Sequence, residues 1–162
     1  MATWSGIRKK LETEYLAESL RGHLQYFAAS YSRSPDHVGR AAIYLDGKPV
    51  ISGNYYNYWF RANELPESER FGKAVDCCTP TKYELELGMF DQRDFYNAFN
   101  EFDNQSIEKS LESENLIVRI FAVVDRRIGK RRLKILCDNI SEQPDFVKRF
   151  IDIRLNAENM VN

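Results

Sequence analysis

The residues best equipped for chemistry in this 162-residue chain sit in one short stretch. Asp125-Arg126-Arg127-Ile128-Gly129-Lys130-Arg131-Arg132-Leu133 gathers five cations around a single glycine. Donors at this density suit contact with phosphate or nucleic acid, where each neutralised phosphate adds salt-dependent affinity. They suit internal pairing equally well. Residues 91–115 carry seven acids against Arg93 and Lys109, and residues 116–134 carry seven bases against Asp125. Antiparallel helices would bring the two blocks within reach, and Asp125 is placed to fix a neighbouring arginine by a bidentate contact. The formal net charge is −1, so no global field recruits nucleic acid or an anionic membrane. Internal pairing is therefore the expectation for Asp125, Arg126, Arg127, Lys130, Arg131 and Arg132, with phosphate contact as the alternative.

A second stretch is aromatic: Tyr55-Tyr56-Asn57-Tyr58-Trp59-Phe60, followed by Arg61. Tyr, Trp and Arg dominate the energetics of protein interfaces, which makes Tyr55, Tyr56, Tyr58, Trp59 and Arg61 candidates for a partner-binding surface. A sheet covered by a helix buries the same residue types, so both readings stay open here.

Other chemistries find little support. His23 and His37 stand far apart without a second ligand at helical spacing, and adjacent Cys77 and Cys78 lack zinc-site spacing. No glycine-rich phosphate loop is present. Cys77 or Cys78 with His23 makes a formal nucleophilic pair, and the ordinary reading of such cysteines is an idle thiol. Glu84 and Glu86, two apart on an expected strand, could act as an acid/base pair, but alternating charges commonly just line a solvated face. The sequence thus predicts no catalytic residue, no metal and no cofactor.

The elements that must position these residues follow from periodicity. Trp4, Ile7, Leu11 and Tyr15 form one helical stripe, capped by Thr3 or Ser5 and stopped near Gly22. Residues 23–33 and 40–51 read as strands, with Ser34-Pro35-Asp36 as a break and Asp46-Gly47 as a type I′ hairpin turn. That turn sets Leu45 opposite Lys48, Tyr44 opposite Pro49 and Ile43 opposite Val50, with Pro49 on an edge strand. Residues 54–60 read as a further strand. So do residues 82–87, where Tyr83, Leu85 and Leu87 alternate with polar residues.

From Asp91 the period becomes helical. Asp91 and Asp94 form a capping-box-like start before Phe95, Ala98, Phe99 and Phe102. A short helix carries Ile107 and Leu111. A longer one is expected to open at Ser113 and carry Ile117, Ile120, Phe121, Val124 and Ile128 on one face, with Gly129 as its stop. Residues 130–139 and a segment opened by Pro144 complete the set. The class is α+β: an N-terminal helix and small antiparallel β-meander packed with a C-terminal bundle of four to five helices. One domain is expected over 1–162, with a sheet-containing half (1–90) and a helical half (91–162).

The hydrophobic fraction of 43% and charged fraction of 29% are ordinary for a globular protein. No apolar run reaches the ~18 residues of a membrane span, residues 1–20 are too charged for a signal peptide, and three cysteines make no disulfide framework. A reducing cytoplasm and no membrane partner are the expectation.

Several segments together carry a resemblance. The opening Thr3-Trp4-Ser5-Gly6-Ile7-Arg8-Lys9-Lys10-Leu11, the hairpin from Gly39-Arg40 to Asp46-Gly47-Lys48, and the run from Ile107 through Asp125-Arg126-Arg127-Ile128-Gly129-Lys130-Arg131 resemble a family of small uncharacterised bacterial cytoplasmic proteins with an Asp-Arg-Arg-x-Gly-Lys-Arg segment. The likeness spans most of the chain outside roughly 54–85. It implies no catalytic residue, and it implies association with polymorphic-toxin loci and hence an immunity or accessory role. The leading functional expectation is a non-catalytic protein-binding protein, with a toxin domain as partner. The alternatives are a nucleic-acid-associated protein using residues 126–134, and an enzyme of unfamiliar type with Glu84, Glu86 or Asp125 as acid/base.

Overall fold

The computed structural model describes residues 2–31, 39–69 and 79–160. Helix α1 (Trp4–Lys9) starts where the Thr3 side chain accepts a hydrogen bond from the Gly6 amide. The coil then widens into a π-turn over Lys10–Glu14, closed by the Tyr15 amide donating to the Lys10 carbonyl at 2.9 Å. The expected continuous stripe is therefore broken after Leu11. Ile7 and Leu11 are buried, and the wide turn swings Tyr15 edge-on to Phe102 with ring centroids 5.0 Å apart. A 3-10 turn over Glu18–Leu20 follows, and Gly22, at φ +80°, reverses the chain into the sheet.

Strands β1 (Leu24–Ser30), β2 (Gly39–Leu45) and β3 (Lys48–Asn54) form an antiparallel sheet in the order β1-β2-β3. Asp46 (φ +50°) and Gly47 (φ +80°) make the expected type I′ turn. Leu45 opposes Lys48 and Tyr44 opposes Pro49, and Pro49 lies on the edge strand, as expected. The next pair differs: Ile43 opposes Ile51, not Val50, because a bulge interrupts the ladder between Ile43 and Tyr44. Without the bulge Ile51 would face outward. The extra residue returns it to the core face beside Ile43 and leaves Val50 half-buried. Gly53 completes that face; a Cβ there would lie 2.6 Å from the Phe90 carbonyl oxygen.

Two expected strands are helices. Residues 54–60 turn out of β3 into the single-turn helix α2 (Asn57–Phe60). The Asn57 side-chain amide donates to the Gly88 carbonyl, and the Asn57 backbone amide donates to Asn54 Oδ1. These bonds hold a turn where aromatic content alone suggested a strand. Lys82–Glu86 is helix α3, opened by a capping box in which Thr81 and Glu84 bond each other's backbone amides. The alternation of Tyr83, Leu85 and Leu87 is thus outweighed by a cap. Glu84 and Glu86, two apart on a helix, do not share a face as a strand would require.

The helical part consists of α4 (Gln92–Asp103), α5 (Ile107–Leu111), α6 (Leu116–Val123), α7 (Lys130–Asp138) and α8 (Asp145–Ala157). Asp91 and Asp94 form the expected capping box of α4. Helix α6 is shorter than expected: Asn115, not Ser113, caps it, and it ends at Val123 without running on to Ile128. Gly129 does not stop that helix; it stands at the N-cap of α7. Nor does α6 carry a single apolar face. Leu116, Ile117, Val118, Ile120, Phe121, Ala122 and Val123 are all buried, because α4, α5 and α8 pack around the helix. These elements make the α+β class expected. The break at 34–36, His37, Cys77 and Cys78 lie outside the described residues.

Phe121 joins the sheet to the helices. Its ring meets Tyr26 of β1 at 5.5 Å, Phe95 at 5.9 Å and Phe102 at 5.8 Å, each edge-on. Phe121→Ala is expected to cost ~3–5 kcal/mol in denaturant melts, because three rings lose a shared neighbour and the truncation opens a cavity between sheet and helices. A loss below about 1 kcal/mol would place Phe121 outside the core.

Candidate functional site

The basic stretch is a tight turn between the end of α6 and the start of α7. Its centre is Asp125, which is fully buried. The Asp125 carboxylate accepts from the Arg127 backbone amide at 2.7 Å, and from Arg127 Nε and one terminal nitrogen, both at 2.9 Å. That is the bidentate contact the spacing predicted. The Arg127 guanidinium also lies over the Tyr15 ring at 5.1 Å and the Phe102 ring at 5.6 Å, so carboxylate and rings hold it on both sides. Burial, and then a short hydrogen bond to Asp103, push the Tyr15 hydroxyl up to about 12, so it stays a donor.

The turn is also joined to the N-terminal segment by backbone bonds. Leu16 and Asp125 form an isolated antiparallel bridge. The Arg126 amide donates to the Tyr15 carbonyl at 2.7 Å, and the Ala17 amide donates to the Val124 carbonyl at 2.9 Å. From the other side comes Arg154 of α8, almost fully buried. It donates to the carbonyls of Val123, Asp125 and Ile128 at 3.1, 2.7 and 2.7 Å, and to Glu158 at 3.1 Å. Sequence reasoning missed Arg154. A signal was present, since the arginine sits one turn beyond Phe150 and two beyond Phe146 on an apolar stripe, where a lone charge needs buried acceptors.

The remaining cations diverge. Arg126 Nε donates to the Glu14 carbonyl at 2.6 Å, and Arg132 pairs with Glu108 of α5 at 2.6 Å. Arg132–Glu108 is the ion pair between the basic and acidic blocks among the described residues. Lys130 and Arg131 are exposed at the first turn of α7. The six candidates are close in the chain, but their side chains do not share one face.

The aromatic candidates separate likewise. Tyr56, Trp59 and Phe60 are 45%, 72% and 81% exposed, and Tyr31, 37% exposed, stacks on Tyr56 at 6.3 Å. Tyr55 and Tyr58 are half-buried and touch each other, and the Arg93 guanidinium sits over the Tyr55 ring at 5.5 Å. Arg61 is engaged with Glu64 and the Leu87 carbonyl, so it braces α2. Tyr31 lay outside the candidate set because it is distant in sequence. Phe60, though in the run, is the most exposed ring among the described residues.

Beneath this patch, burial pushes the Asp94 carboxyl up to about 7; the Asp91 amide that donates to it opposes the shift, and nearby Asp91 adds to it. Burial likewise raises the Tyr58 hydroxyl far above its usual value, with Asp94, Glu84 and Asp91 contributing. The acid/base candidates have structural partners: Glu84 in the α3 cap, Glu86 with Arg149, and Asp125 with Arg127. Among the described residues no group of three or more His, Cys, Asp or Glu side chains could hold a metal ion, and no helix is long and apolar enough to cross a membrane.

Comparison with known proteins gives one positive result: the model of the SF0329 protein family matches residues 3–155. No curated protein and no solved structure matches the chain.

Two predictions follow from these charges. Arg127→Ala is expected to cost ~3–5 kcal/mol in denaturant melts, because it strips a fully buried carboxylate of its bidentate partner and leaves only the Arg154 guanidinium nearby; a loss below about 1 kcal/mol would contradict this. For Asp94, the folded-state value of about 7 lies above the unfolded value of ~3.9, so the folded state holds the extra proton between them. Stability from this group is present below pH 4 and falls as the pH rises toward 7. Asp94→Asn keeps an acceptor for the Asp91 amide and should gain on the wild type in melting temperature from pH 5 to pH 8. Parallel profiles would refute it.

Proposed function

The chain belongs to the SF0329 protein family, and we propose that it is a non-catalytic protein-binding protein that meets its partner through the patch of Tyr31, Tyr56, Trp59 and Phe60. The observation carrying this reading is the pair Trp59 and Phe60, adjacent and 72% and 81% exposed. Large rings left in water are costly, and burying each against a partner returns about 25 cal/mol per Å² of apolar surface. The helix presenting them is tied down by Asn57 and Arg61, so binding need not order it first. The finer form of the proposal is neutralisation of a toxin domain, or an accessory role beside one. It rests on the resemblance noted for the basic-turn segment.

The nucleic-acid reading has weaker support, because Arg127 and Arg132 are held by carboxylates and the cations of the turn do not share one face. The enzymatic reading is weaker again, since its acid/base candidates serve caps and ion pairs.

The test is a matched pair of baits. Trp59→Ala with Phe60→Ala is expected to leave stability within about 0.5 kcal/mol, as exposed positions do. Chemical cross-linking in the native cytoplasm, followed by mass spectrometry, should then show a partner on the wild type that the double variant loses. A partner set identical for the two baits, or none on the wild type, defeats the proposal.

A further inference from the structure

A cleft of about 540 Å³ opens between the 3-10 turn at Glu18–Leu20, the basic turn and α8, and none of its walls belongs to the aromatic patch. Its charged lining is Arg21, Arg126, Lys130 and Arg154 against Glu18 and Glu158. Arg154 and Glu158 satisfy each other, and the Ser19 hydroxyl donates to Glu158 at 2.7 Å. Arg21 and Arg126 are positioned without being neutralised, while the Lys130 ammonium lies within electrostatic reach of Glu158 but is not ion-paired to it. Arg21 Nε donates to the Leu16 carbonyl at 3.2 Å and Arg126 Nε to the Glu14 carbonyl at 2.6 Å. Each guanidinium is thus held at one edge, with its terminal nitrogens left over. Among the described residues the ion pairs take in Arg127, Arg132 and Arg154, and none takes in Arg21, Arg126 or Lys130.

Two further observations point the same way. The first turn of α7 holds Lys130, Arg131 and Arg132 with no acid and no side-chain cap. Three cations at the positive end of a helix oppose its dipole, an arrangement that an anion would relieve. At the N-cap stands Gly129, a cleft residue with an ordinary backbone (φ −87°, ψ 177°) and nothing within 4 Å of where a Cβ would be. Neither conformation nor internal packing calls for glycine there. What the missing side chain does is leave the cleft open to the first amides of α7.

We propose that this cleft binds a small phosphorylated ligand. The phosphoryl group meets the first-turn amides of α7, Arg21, Arg126 and Lys130 clamp it, and the rest of the ligand lies in the cleft. The volume falls within the ~300–1,000 Å³ usual for small-molecule sites. The terminal nitrogens of two arginines and one ammonium supply the charge-assisted donors that a dianionic phosphoryl group needs.

Inorganic pyrophosphate is the probe, titrated into the full chain by calorimetry, with melting temperature read in parallel. Saturable 1:1 binding with a rise in melting temperature is expected. Arg21→Gln with Lys130→Gln, both at exposed positions, should weaken binding by about tenfold or more. Gly129→Ala should weaken it while the melting temperature of the free protein stays near wild type. Trp59→Ala with Phe60→Ala should leave it unchanged, which separates this site from the protein-binding surface. Three outcomes overturn the proposal: no saturation at millimolar pyrophosphate, variants that bind like the wild type, or a single-stranded RNA that binds more tightly than pyrophosphate with a steep salt dependence, which would assign the cations to a nucleic-acid surface.

Discussion

The buried guanidinium of Arg154 is the interaction on which the rest of this fold depends. It reaches the carbonyls of Val123, Asp125 and Ile128 where α6 has just ended. A helix terminus leaves carbonyls without partners, and one so deeply buried cannot use water. Arg154 supplies the donors, and its positive charge lies at the negative end of the helix dipole. Burial draws the guanidinium below the usual arginine value while Glu158 raises it. The bare turn can therefore stay in the interior, and Asp125 can turn its carboxylate toward Arg127 with its carbonyl already occupied. The N-terminal segment then docks on the same turn through Leu16, Ala17 and Arg126.

Local signals in the sequence were reliable where a short motif decides the backbone. The Asp46-Gly47 turn and the Asp91/Asp94 cap each fix two or three residues by chemistry that neighbours cannot easily override. Misreadings arose where two local signals competed. Residues 82–87 alternate like a strand, yet Thr81 and Glu84 have the spacing of a capping box, and the cap prevailed. The bulge beside Tyr44 could not be seen from the turn alone, since it answers to the need of Ile51 for the core.

The candidate site was partly legible for the same reason. Asp125 and Arg127 stand two apart, so their pairing is a local matter, and it was readable. Arg154 lies 29 residues from Asp125, and no spacing rule links them. The aromatic run drew notice by composition, but which rings face water depended on the turn at Asn57. Residue types marked the regions; tertiary contacts sorted them into props and free surfaces.

The bridge between Leu16 and Asp125, together with the Ser19–Glu158 bond, constrains the order in which a growing chain can fold. The β2–β3 hairpin needs only its own residues and can close as soon as it emerges from the ribosome. The segment that carries Tyr15 through Ser19 has to wait, because its partners Asp103, Val124, Arg126 and Glu158 all lie far downstream, as does the Arg154 guanidinium that steadies the turn at Asp125. During synthesis residues 15–19 therefore travel without their seat, and this strap is among the last pieces to be secured.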